Sequence, residues 1–221
     1  TVGSILILLF CIACRRCTAR APRNRRLLIP INVSHASRST LEGRRNEYEL
    51  MELQHQIVLV TGAGRGLGVA IAAAFARTGA KVVLNYRRSR TPAEAAAAEL
   101  GPERAVALQA DVTRRDEVGA MFEAAARHFG RPVTTVINNA LPDFSFNGDA
   151  RSKADGIGWN EFAAQLEGAL GGALNTVQAA LPAMRQARFG RIVNIGSNLF
   201  QNPVVPYHDY TAAKAALLSL T

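Results

Sequence analysis

Residues Gln56–Thr78 read QIVLVTGAGRGLGVAIAAAFART, and the reading of this stretch decides the fold. Ile57, Val58, Leu59 and Val60 form an unbroken apolar run before a turn, the pattern of a parallel strand buried on both faces. Glycines at 62, 64, 66 and 68 follow, then an apolar helical segment that stops at Gly79, a residue suited to a helix C-terminus. Strand, glycine turn and helix in that order present free backbone N–H groups and the positive end of a helix dipole to one spot, where a phosphate binds. Glycine suits the turn for two reasons. Tight turns need positive φ, and a pyrophosphate reaches the backbone only where no Cβ intervenes.

The chain has 221 residues, enough for one α/β domain with a segment to spare, and 48% hydrophobic residues, enough for a large core. Its formal net charge of +9 suggests a nucleic-acid partner until it is divided along the chain. Residues 1–50 carry nine arginines and three glutamates, or +6, leaving +3 for residues 51–221. That near balance argues against nucleic acid. All three cysteines, Cys11, Cys14 and Cys17, also lie in the first segment. Their C-x-x-C-x-x-C spacing lacks a fourth ligand nearby, so no metal site is expected.

Val2–Cys14 is mostly apolar but shorter than the ~20 residues of a membrane-spanning helix, so no membrane is expected for the core. Arg15 and Arg16 follow that run, the reverse of a signal peptide's order. The arginine-rich remainder to residue 50 reads as disordered. Residues 1–50 are therefore expected to be a disordered extension, or upstream sequence ahead of a true start at Met51; the competing reading is an N-terminal fragment of a membrane anchor.

From Met51 the signals alternate between strand and helix, the mark of a doubly wound parallel sheet of Rossmann type. Strands are expected at Ile57–Val60, Lys81–Asn85, Ala105–Ala110, Thr134–Asn138 and Arg191–Ile195. Helices are expected after the glycine turn, at Ala93–Leu100, at Asp116–His128, from Trp159 to about Ala187, and from about Asp209 onward. Leu141–Gly158 reads as irregular.

Tyr210 and Lys214 stand four apart on the last helix and so share a face. A phenol has a pKa near 10, and a neighbouring ammonium favours the phenolate, lowering that value by ~1–3 units. Such a tyrosine can exchange a proton with a carbonyl oxygen. Ser197 lies immediately after the fifth strand, placed to hold that oxygen.

The glycine pattern is T-G-x-x-x-G-x-G (Thr61, Gly62, Gly66, Gly68), because Leu67 and Val69 occupy the third-glycine positions of G-x-G-x-x-G. Together with Asn138-Asn139-Ala140, Ser197 and Tyr210/Lys214 in this order, it resembles the short-chain dehydrogenase/reductase family over residues 56–221. The resemblance implies an oxidoreductase acting on CH–OH groups, with Ser197, Tyr210 and Lys214 catalytic. It implies a dinucleotide held by Thr61, Gly62, Gly64, Arg65, Gly66, Leu67, Gly68, Asp111, Val112, Asn138, Asn139, Ala140, Tyr210 and Lys214. Asp111 would meet the adenine edge; a local role ahead of the following helix is the other reading. Tyr86 stands where an acidic residue often takes the ribose hydroxyls, and Arg87 and Arg88 follow it. With Arg65, they favour the 2′-phosphate of NADP(H) over NAD(H).

Three departures from the family pattern matter. Leu141 replaces the glycine of N-N-A-G, and Ala169 falls where the family has a relay asparagine; Asn175, six residues on, is given no role. Five strands are expected where the family has seven, so residues 51–221 read as a domain truncated at its C-terminus, with an open sheet edge. Phe144, Phe146 and Trp159 are read as core or lid residues rather than substrate lining.

The stretches NIGSNLFQNPVVPYHDYTAAKAALLSLT and NNALPDFSF resemble the 3-oxoacyl-[acyl-carrier-protein] reductase-like subgroup. That implies NADPH-dependent reduction of a β-keto thioester, a fatty acid biosynthesis step, by a cytoplasmic homodimer or homotetramer. The alternatives are action on other alcohols, ketones or sugars, and a non-catalytic nucleotide-binding scaffold.

Overall fold

The computed structural model describes residues 9–11, 52–141, 153–201 and 205–221, with only the backbone described for 9–11 and Phe200. Its parallel strands are β2 (Ile57–Val60), β3 (Lys81–Tyr86), β4 (Ala105–Gln109), β5 (Thr135–Asn138) and β6 (Arg191–Ile195). Between them run α1 (Gly66–Arg77), α2 (Arg90–Leu100), α3 (Arg115–Phe129), α4 (Trp159–Leu166) and α5 (Gly172–Gln186), with α6 (His208–Ser219) last. Each expected strand and helix is present, with ends shifted by three residues or fewer.

The strand order is β6-β5-β2-β3-β4 within the parallel part, so the chain reverses direction across the sheet between β2 and β5. In such sheets a ligand crevice opens beyond the carboxyl ends of the strands at that reversal. Register brings those ends level: Val60 pairs Leu84 on one side and Ile137 on the other, and Asn138 pairs Asn194.

The apolar run of β2 is explained by burial on both faces. Ile57 and Leu59 pack into a cluster with Val118, Met121, Ala125 and Phe129 of α3 and Ala180 and Met184 of α5. Val58 and Val60 point the other way, to Ala72 and Ala76 of α1 and Ala97 of α2. Successive strand side chains alternate between faces, so a strand covered twice needs apolar residues throughout. Small residues on α1 (Gly68, Ala72, Ala76, four apart) form the buried stripe that lies closest to the sheet.

Three local features were not expected. Leu9–Cys11 forms a short strand, β1, antiparallel to β6, with Leu9 opposite Ile195 and Cys11 opposite Val193. These three residues of the segment read as disordered take the β6 edge that the sequence reading leaves open; the rest of residues 1–51 lies outside the described residues. The long helix is not uniform: Glu167–Gly171 is a π-helical turn between α4 and α5. A π-turn inserts a residue into the ladder, a device found often at functional sites. Trp159 is 72% exposed at the start of α4, stacked on Phe162 at a centroid distance of 6.4 Å, which removes the core half of its core-or-lid reading. Phe144 and Phe146 lie outside the described residues.

A buried polar chain ties the β5–β6 side of the sheet to its helices. Thr176 Oγ1 donates to Asn138 Oδ1 (2.7 Å), Asn138 Nδ2 to Asn194 Oδ1 (2.9 Å), and Asn194 Nδ2 to Thr221 Oγ1 (2.8 Å). Thr176→Val keeps the shape but strips the donor from a buried amide oxygen, which costs about 1–3 kcal/mol. Urea unfolding should show that loss; an unchanged midpoint would mean that Thr176 does not hold the chain together.

Candidate active site

The glycine turn is built by contacts within the protein before any ligand is considered. Gly62 has φ +64° and Gly66 φ +57°, the left-handed conformations anticipated from the sequence. At Gly62 a Cβ would stand 2.9 Å from Ala140 Cα, and at Gly68 2.4 Å from the Gly62 carbonyl oxygen. Both neighbours are backbone, so neither position admits a side chain without moving the turn. Thr61 and Asn139 lock the turn to the end of β5. The N–H groups of Asn139 and Ala140 donate to Thr61 Oγ1 (2.9 and 3.0 Å), and Asn139 Nδ2 donates to the Thr61 carbonyl (2.9 Å). Asn138, assigned to the cofactor from the sequence, is a member of the buried polar chain.

A cavity of about 570 Å³ opens where the sheet reverses direction. It is lined by Gly62, Gly64, Arg65, Gly66, Leu67 and Gly68 on one wall, and by Tyr86, Arg87, Arg88, Asp111 and Val112 on the other, with Asn139, Ala140 and Leu141 beside them. Thirteen of the residues assigned to a dinucleotide therefore share one cavity, of the size range that takes a cofactor. Thr61 and Asn138 line a smaller neighbouring cavity that reaches Ala169 and Leu217. Ser197, Tyr210 and Lys214 line neither. The N–H groups of Gly62 and Ala63 are taken by Asn85, through its side-chain and backbone oxygens (3.2 and 2.7 Å). The turn thus offers a ligand its backbone from Gly64 onward. At Gly66, which lines the cavity, nothing lies within 4 Å of where a Cβ would stand. That open backbone at a helix start fits a phosphate group.

One arginine of the opposite wall, Arg87, has a carboxylate beside it. Arg87 Nη1 lies 3.7 Å from Asp111 Oδ2, so the expected phosphate partner already faces a carboxylate. Asp111 Oδ1 accepts from the Thr113 N–H (3.0 Å) and hydroxyl (2.8 Å), the local role considered for it. Burial pushes the Asp111 carboxyl up, but the Thr113 hydrogen bonds, Arg87 and Arg114 outweigh it and hold the pKa below the ordinary value. Arg65 is exposed at the head of α1 and lines the cavity.

Ser197, Tyr210 and Lys214 come together between β6 and α6, at 7%, 6% and 2% exposure. Tyr210 and Ser197 share a side-chain hydrogen bond. Lys214 Nζ donates to the Ile195 carbonyl (2.6 Å) and sits 5.9 Å from the Tyr210 ring centroid. The expected lowering of the tyrosine pKa is not found. Burial pushes the phenol up, and only the Ser197 bond works against it. The same burial lowers Lys214 to about 8. The lysine's cation is itself disfavoured, which leaves it little leverage on the phenol.

Two asparagines were missed. Asn85 ends the apolar run VVLN, and a buried amide at a strand's carboxyl end was the available signal. Asn175 Nδ2 donates to the carbonyls of Val112 (2.9 Å) and Thr113 (3.2 Å), fastening one cavity wall to α5. Only the packing of α5 reveals this. Among the described residues, no cluster of three or more His, Cys, Asp or Glu could hold a metal, and no helix is long and apolar enough to cross a membrane.

A sequence model of the short chain dehydrogenase family matches residues 56–221. The chain belongs to that family. Its members are oxidoreductases that bind NAD(P)(H). A 3-oxoacyl-[acyl-carrier-protein] reductase of Synechocystis is 36% identical over 177 residues, 76% of this chain and 66% of that protein. A short-chain type dehydrogenase/reductase of Picea abies is 34% identical over 176 residues, 75% of this chain and 62% of the relative. A hydroxynaphthalene reductase-like protein of Metarhizium robertsii is 43% identical over 94 residues, 42% of this chain and 35% of the relative. The chain therefore spans less than two thirds of the length of these relatives.

Lys214 gives a pH test with a fixed sign. Its folded pKa of about 8 lies below the unfolded value of 10.5, so between those values the unfolded chain binds more protons. Relative to Lys214→Met, the wild type should gain stability from pH 8 to 10.5, by up to roughly 3 kcal/mol. Thermal melting of the pair across that range measures it, and a pH-independent difference would contradict the buried ammonium.

Proposed function

We propose that this protein is an NADPH-dependent reductase that converts a carbonyl to an alcohol, with a 3-oxoacyl-[acyl-carrier-protein] thioester as its foremost substrate class. The observation that carries the reading is the buried Ser197–Tyr210 hydrogen bond beside Lys214, at the carboxyl end of the sheet that also forms the cavity. When bound, the dinucleotide supplies a hydride. The backbone from Gly64 to Gly68 would hold its pyrophosphate, and Asp111 and Val112 would flank its adenosine. Arg65, Arg87 and Arg88 would supply positive charge to the 2′-phosphate.

Ser197 holds the carbonyl oxygen while Tyr210 gives up its proton to it, and solvent then restores that proton. A phenol whose pKa is raised stays protonated at neutral pH, which suits a proton donor and so the reducing direction. Lys214 anchors the helix face through the Ile195 carbonyl and sets the charge beside the ring. The substrate class rests on the Synechocystis relative. The Metarhizium relatives favour a second reading, reduction of an aromatic or other ketone. We place the protein in the cytoplasm as a homodimer or homotetramer, following the family resemblance.

NADPH oxidation by the full-length protein with acetoacetyl thioester should fall about 10²- to 10⁴-fold in Tyr210→Phe. Equal rates in the two proteins would remove Tyr210 as the acid. Turnover only with aromatic ketones would select the second reading. Separately, Arg65→Ala should weaken NADPH about tenfold and leave NADH unchanged, the loss of one charge-assisted contact. Equal losses for both would place Arg65 away from the 2′-phosphate.

A further inference from the structure

Asn85 is 2% exposed at the carboxyl end of β3, and its amide reaches the continuations of both neighbouring strands. Its Oδ1 accepts from the Gly62 N–H at 3.2 Å, just beyond β2. Its Nδ2 donates to the Ala110 carbonyl at 3.0 Å, just beyond β4, with a longer contact to Leu108 at 3.5 Å. The β2–β3 ladder ends at Val60 and the β3–β4 ladder at Gln109, so the amide extends sheet bonding past both ends. Gly62 belongs to the glycine wall of the cavity and Ala110 to the adenosine wall, and Asn85 itself lines the cavity between them.

A buried amide is costly unless both of its ends are bonded, and here each end is spent on a different wall. Ala63 and Ala110 add backbone bonds to Asn85 and Tyr86 (2.7 and 3.0 Å), so the tie sits where both walls leave the sheet. We propose that Asn85 is a positioning residue that sets the spacing between the two walls, and through it the affinity for a ligand that must touch both. The proposal rests on the dinucleotide reading above. A dinucleotide spans the walls; adenosine, which carries no phosphate, meets only the adenosine wall.

The spacing role separates these two ligands, whereas a merely structural role weakens both alike. In the full-length protein, Asn85→Ser and the near-isosteric Asn85→Leu each unpair one donor and one acceptor. Both NADPH and NADH should bind about tenfold more weakly, read by nucleotide fluorescence. Adenosine, read by calorimetry, should change less than twofold. Circular dichroism establishes that each variant is folded, and the serine variant carries the test if the leucine variant is not. Unaltered NADPH affinity, or equal losses for dinucleotide and fragment, would overturn the proposal. Failure of the wild type to bind either dinucleotide would instead overturn the dinucleotide reading and take this proposal with it.

Discussion

The close approach of the glycine turn to the end of β5 is the constraint on which the rest depends. A single added Cβ at Gly62 would come within 2.9 Å of Ala140 Cα, and one at Gly68 within 2.4 Å of the turn's own carbonyl. Because these are backbone contacts, the turn cannot relax by moving a side chain. Thr61 and Asn139 hold it from the β5 side, and Asn85 from the β3 side. The cavity is the space left between elements fixed in this way. Its floor is therefore set by hydrogen bonds within the protein, and only the outer part of the turn remains for a ligand.

The second centre is built on a different principle. Ser197, Tyr210 and Lys214 are withdrawn from solvent, and their protonation is governed by burial more than by mutual charge. A lysine lowers the pKa of a neighbouring phenol only while it carries a full charge. Folding places it at 2% exposure, where the cation is expensive, and turns it toward the Ile195 carbonyl. What survives is the geometry that the spacing of four promised, with both groups on one face of α6.

Much of the fold was legible because its signals are local. The run Ile57–Val60, the glycines and the helix stop at Gly79 each follow from backbone sterics and two-sided burial, and the observed elements match. Gly130, ending α3 in a left-handed conformation, is another such case. The cavity-lining residues were legible for the same reason, since they sit at strand ends on either side of β2. What escaped was nonlocal. The π-turn at Glu167–Gly171 arises inside an apparently regular helix. The role of Asn175 depends on which loop α5 crosses, and the Arg87–Asp111 pairing on the meeting of two strand ends.

The central claim is that one ligand joins the two centres: a dinucleotide that spans the cavity and ends at Tyr210. A crystal structure of the full-length protein grown with NADP⁺ tests it most directly. The account predicts the pyrophosphate against the backbone of residues 64–68 and the nicotinamide ring beside the Tyr210 hydroxyl. A dinucleotide bound elsewhere, or a nicotinamide directed away from Tyr210, would contradict it.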